Sequence, residues 1–128
     1  MPFARIDLIE GKPADFRQAV GDTVYRLLVE VLKAPTDDRF QVITEHKAEN
    51  FVFDPQYLGV SRSPGCIFIQ ITLNEGRTLE MKQAFYKALA DTLHAQLGVR
   101  REDVFINLVE VQKVNWSFGN GEAQYAPH

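Results

Sequence analysis

With 128 residues, 45% hydrophobic and 24% charged, the chain has the makeup of a folded protein with a real core, and its length fits one domain. A net charge of −3 without a basic run argues against nucleic acid as a partner, and apolar stretches no longer than a strand argue against a membrane span. One cysteine, Cys66, excludes an internal disulfide framework, and Arg5, Asp7 and Glu10 come too early for a secretory leader, so a soluble cytoplasmic protein is expected.

The chain opens Met1-Pro2 and continues to Ile9 with the alternation of a half-buried strand. Gly11 ends that strand, and Pro13 fits the first turn of a helix whose apolar face is Phe16, Val20, Val24, Leu27, Leu28 and Val31. Pro35 is expected to close the helix, and Phe40–His46 reads as the second strand. The linker, residues 47–65, carries Pro55, Gly59, Pro64 and Gly65, with a short strand expected at Asn50–Phe53. Ile67–Leu73 is the third strand and Gly76 its turn. Met81, Phe85, Leu89, Leu93 and Leu97 then recur at helical spacing up to a Gly98 cap, and Val104–Val111 is the last strand. The tail, residues 113–128, holds Trp116 and Asn120-Gly121 and reads as a turn or short hairpin.

The two halves match each other at a constant offset of 65 residues. Phe3, Ile6, Leu8, Glu10, Gly11, Gln18, Ala19, Leu28, Leu32, Asp38, Phe40 and Glu45 recur as Phe68, Ile71, Leu73, Glu75, Gly76, Gln83, Ala84, Leu93, Leu97, Asp103, Phe105 and Glu110. An ungapped repeat of this kind points to a duplicated supersecondary unit. Each copy, about 2–46 and 67–111, reads strand–helix–strand, and such a unit forms a right-handed crossover between parallel strands. The expected fold is α+β: two tandem β-α-β units forming a four-stranded mixed sheet with two helices on one face, in a single domain spanning 1–128.

Three positions carry chemistry. Pro2 becomes the chain terminus once Met1 is trimmed, leaving a secondary amine with a reference pKa of roughly 7.7–8.0. It can then act as base, cationic acid or imine-forming nucleophile. Arg77 follows Gly76 at the end of a strand and the start of a helix, where α/β sheets gather ligands and helix N-termini favour anions; its fork can grip a carboxylate. A solvated turn arginine is the plainer alternative, since Lys12 fills the equivalent slot. Asp38 can position Pro2 or a water, or serve only to stabilise a turn, as Asp103 does in the matching slot. Trp116 and Phe118 can form the apolar wall of a small pocket, or simply pack.

Tyr57, Arg62 and Tyr125 are not placed by the sequence. His46 reads as a strand residue with a satisfied ring, His94 as a helix-surface residue, and Cys66 as a small apolar residue entering a strand. Neither a metal-ligand spacing nor a Gly-rich phosphate loop is present, so no metal and no cofactor are expected.

Pro2, the doubled unit, the run Pro35-Thr-Asp-Asp38-Arg-Phe-Gln41, Glu75-Gly76-Arg77 and Trp116-Ser-Phe118-Gly together resemble the tautomerase superfamily, nearest the malonate semialdehyde decarboxylase branch. The resemblance spans nearly the whole chain. It implies a homotrimer, Pro2, Asp38 and Arg77 as catalytic residues, and Arg77, Trp116 and Phe118 as substrate-binding ones. The implied substrate is a small-molecule oxo acid: a 3-oxo acid losing CO2, a 2-oxo acid such as phenylpyruvate undergoing keto–enol exchange, or an unsaturated acid being hydrated. Where some decarboxylases of this branch have more than one arginine after the third strand, this loop has Arg77 alone. A non-catalytic rival is a ferredoxin-like module binding a small effector, which has no need of a free Pro2.

Overall fold

The structure is a computed structural model and describes residues 2–127. Strand β1 (Phe3–Ile9) leads through helix α1 (Ala14–Glu30) to β2 (Phe40–His46); β3 (Ile67–Asn74) leads through α2 (Leu79–Leu97) to β4 (Val104–Val111). The sheet order is β2-β1-β3-β4. Within each unit the strands are parallel, and β1 meets β3 antiparallel at the centre. This is the mixed four-stranded sheet of two β-α-β units that the repeat predicts.

Strand alternation divides the sheet into two unlike faces. Ala4, Ile6 and Leu8 of β1 and Ile67, Ile69, Ile71 and Leu73 of β3 are buried under the helices. Val20, Val24, Leu27 and Leu28 of α1 pack against them, as do Phe85, Leu89 and Leu93 of α2. Among the described residues neither α1 nor α2 covers the other face. Phe40, Val42, Phe105 and Val109 are 51%, 39%, 46% and 37% exposed there. No helix among the described residues is long and apolar enough to cross a membrane.

The helix ends depart in detail from expectation. Pro13 precedes α1 as its N-cap, in extended conformation, and its carbonyl already accepts from Arg17 N at 3.2 Å. The helix closes before Pro35, through Lys33 at φ 61° and a 3.0 Å bond from Ala34 N to Leu28 O. Gly98 closes α2 in the same manner, at φ 69°, with Val99 N donating to Leu93 O at 3.3 Å.

One expected element is absent among the described residues. Asn50–Phe53 forms no strand; Ala48–Asn50 is a 3-10 turn. Phe51 is buried and stacks on Phe68 at 4.3 Å, so this apolar run anchors on the open sheet face by its ring and pairs with no edge. The tail takes the turn rather than the hairpin form, with Glu122 N donating to Gly119 O at 3.3 Å and Ala126 N to Ala123 O at 3.0 Å. After a 3-10 turn at Lys113–Asn115 it is shaped by Gln124, which accepts from Phe118 N and donates to Gly119 O, both at 2.9 Å.

Candidate active site

The strand register sets the first residues of the chain at one end of the sheet. Phe3 is level with Phe40 on one side and with Thr72 on the other. One step further, Pro2 lies between the approach to β2, where Asp38 sits, and the end of β3, where Leu73 and Asn74 lead to Arg77. Pro2 and Asp38 are both buried, Asp38 to 5% exposure. Pro2, Asp38 and Arg77, far apart in sequence, thus share one end of the sheet. The cause is the central antiparallel pairing, which brings the end of β3 beside the start of β1.

The Asp38 carboxyl is pushed above its ordinary value of 3.8, mainly by burial; the positive amino terminus of the chain pulls it down and Asp37 pushes it up. The turn leading to it is closed by Asp38 N donating to Pro35 O at 3.4 Å. Met1, whose removal decides whether the Pro2 nitrogen is an amine, lies outside the described residues.

Arg77 is half-buried between Gly76, at φ 124°, and Thr78, the N-cap of α2, whose hydroxyl accepts from Met81 N at 3.2 Å. Two carbonyls hold its guanidinium: Nε donates to Leu32 O at 3.0 Å and Nη1 to Asn74 O at 2.9 Å. Nη2 has no hydrogen-bond partner among the described residues. Burial lowers the guanidinium pKa, which the Glu110 carboxylate partly offsets, and an arginine so placed stays cationic at neutral pH. The arginine is therefore preset by backbone, with one edge of its fork left for a ligand.

The aromatic wall reaches the same place through Asn74. Trp116 Nε1 donates to Asn74 Oδ1 at 2.7 Å. The Trp116 and Phe118 rings stack at 5.5 Å and 15°, and Tyr125 meets Phe118 edge-on at 5.2 Å. Trp116 thus joins the loop of Arg77 through Asn74, and Phe118 and then Tyr125 stack onward from it. Tyr57 and Arg62 lie elsewhere: with Phe68 and Phe105 they line an open cavity of about 390 Å³ at the far end of β3.

The other candidates settle into structural places. His46 Nε2 and Asp7 Oδ1 are 2.6 Å apart on the open face, and His94 Nδ1 lies 3.0 Å from Val99 O. Cys66 is fully buried, and burial, with Asp103 next, pushes its thiol up to about 11, far from a nucleophilic thiolate. Asp103, the repeat partner of Asp38, is capped by Ser63, whose amide and hydroxyl donate at 2.7 and 2.5 Å. Asn74 and Gln124 are the site-shaping residues that the sequence reading missed. Asn74 stands in the same run as Arg77, but nothing in its spacing announces a bond to Trp116, which follows 42 positions later.

Comparison with known proteins identifies the family. Two family models, both described as tautomerase enzymes, match residues 38–119 and 2–61. The chain is 44% identical over 124 residues to the probable tautomerase YusQ of Bacillus subtilis, covering 97% of this chain and 98% of that protein. It is 34% identical over 125 residues to the probable tautomerase YrdN of the same organism, covering 98% and 96%. Among solved structures, a malonate semialdehyde decarboxylase inhibited by 3-bromopropiolate superposes with a TM-score of 0.88 at 41% identity, covering 96% of this chain and 93% of the other. The chain belongs to the tautomerase family, near the malonate semialdehyde decarboxylase branch, and is an enzyme of the isomerase or lyase type.

Proposed function

We propose that the processed chain uses the Pro2 amine to decarboxylate a small 3-oxo acid such as malonate semialdehyde. The observation that carries this reading is the convergence of Pro2, buried Asp38 and the backbone-held Arg77 at one end of the sheet. Arg77 grips the carboxylate with its open edge. The cationic Pro2 donates to the carbonyl oxygen and stabilises the enolate-like charge as CO2 departs; in a covalent variant the neutral amine adds to the carbonyl carbon, the carbonyl oxygen leaves as water, and the resulting iminium takes up the electron pair released with CO2. Asp38, when ionised, keeps the Pro2 nitrogen protonated. Trp116 and Phe118 limit the water around the charge that develops. No cofactor is required by these steps.

Turnover of 3-oxopropanoate by protein whose intact mass lacks Met1 tests the reading. Pro2→Ala, or one extra residue ahead of Pro2, should lower the rate by about 10²- to 10⁴-fold, the usual worth of a positioned proton donor. Unchanged turnover in the extended protein sinks the proposal.

A second reading, keto–enol exchange of a 2-oxo acid, is favoured by the relatives named probable tautomerases. There Pro2 must be neutral to remove a carbon-bound proton. Parallel assays with phenylpyruvate, and nitrogen NMR titration of Pro2, separate the two: a Pro2 pKa well below 7 rejects the decarboxylase. Hydration of an unsaturated acid also needs a cationic Pro2, and product analysis distinguishes it.

The open sheet face, with Phe40, Val42, Phe105 and Val109 uncovered, is read as the surface on which three copies assemble. Sedimentation should give three times the chain mass, and Phe105→Asp should lower it. A monomeric wild type rejects the trimer.

A further inference from the structure

We infer that Asn74 is a second substrate-orienting group, its side-chain amide donating to the oxo acid beside Arg77; this rests on the function proposed above. An indole N–H is only a donor. Its 2.7 Å bond from Trp116 Nε1 therefore fixes which way the Asn74 amide is turned, with Oδ1 toward the indole and Nδ2 away from it. Nδ2 has no hydrogen-bond partner among the described residues, and Asn74 is only half-buried, so two N–H donors stay open. The same residue fixes Arg77, because its main-chain oxygen receives Nη1 at 2.9 Å. The open edge of the guanidinium and the open amide thus belong to neighbouring groups tied through one peptide. An anion seated on Arg77 meets a second donor there, in a loop that supplies no second arginine.

Two substitutions separate this role from mere support of the wall. Asn74→Asp retains an acceptor for the indole but replaces the two donors by an oxygen. It should keep the emission wavelength of Trp116, the only tryptophan in the chain. It should raise KM for 3-oxopropanoate about 10- to 100-fold, as expected for a lost hydrogen bond to a charged group, and change kcat far less. Part of that rise comes from the new negative charge and fades at high salt; the part due to the lost donor persists. Asn74→Ala should raise KM similarly and also shift the Trp116 emission to the red.

Malonate titrated against Trp116 fluorescence gives the same comparison without turnover. Weaker malonate binding by Asn74→Asp at high salt supports the inference even if neither oxo acid is turned over, the result that would reject the function. An unchanged KM and malonate affinity in Asn74→Asp, an effect that salt abolishes, a fluorescence shift in Asn74→Ala with no change in KM, or no binding of malonate to the wild type would each overturn it.

Discussion

Asp38 shows how a single buried acid ties stability to pH. Its raised pKa means that the folded state holds the proton more tightly than the unfolded chain. Folding stability therefore falls as pH climbs from 3.8 through the folded value. Asp38→Asn should unfold at higher denaturant than wild type at neutral pH and lose that advantage below pH 3.8, while turnover drops. Equal midpoints across the whole range would show that the carboxylate is not strained by burial. Lys33 offers a second test at this scale. It holds a left-handed conformation that Gly98 holds in the other unit, and a side chain there costs about 1 kcal/mol. Lys33→Gly should raise stability by roughly 0.5–1 kcal/mol in urea unfolding, less whatever the Lys33 Nζ bond to Glu30 O contributes, and Gly98→Ala should lower it by about 1 kcal/mol.

Regular elements were legible in the sequence because their cause is local. Period-two alternation marked the first strand, now β1, and four-residue spacing marked α2, since each pattern has one face to bury. Asn50–Phe53 misled for the same reason: its apolar residues suit a strand, yet Phe51 spends its surface on the Phe68 ring. The tail was legible as a turn, but its detail was not, because that comes from side-chain bonds between residues with no periodic relation. Gln124→Ala removes both bonds that clamp Phe118 and Gly119. It should cost about 1–3 kcal/mol and increase the quenching of Trp116 by acrylamide, because the stacked ring beside it loosens. Within the site, Pro2, Asp38 and Arg77 could be named from the sequence; Asn74 could not.

At the scale of the molecule, the 65-residue repeat survives as matched hydrogen bonds. Glu10 N to His46 O at 2.8 Å has its counterpart in Glu75 N to Val111 O at 2.9 Å. The halves differ where chemistry is proposed. In the first, the buried acid Asp38 lies at the Pro2 end of the sheet; in the second, Ser63 of the linker caps Asp103, and Ile67 stands where Pro2 would be. Ser63→Ala should therefore destabilise the fold by about 1–3 kcal/mol, by leaving a buried carboxylate short of a donor, and leave turnover untouched. Loss of turnover without loss of stability would mean that the Ser63–Asp103 pair participates.

The antiparallel seam between β1 and β3 has a consequence for how the polypeptide is made. On the ribosome the amino-terminal unit is finished long before its partner strand emerges, and until then the β1 edge offers unpaired amides and carbonyls beside Ala4, Ile6 and Leu8. The strand that eventually covers this edge is the repeat of β1 itself, keeping its Phe, Ile and Leu at the matched positions 68, 71 and 73. A nascent or truncated first unit would thus find in a second such fragment the mate that it lacks, and a peptide of residues 2–61 should self-associate as pairs across that seam.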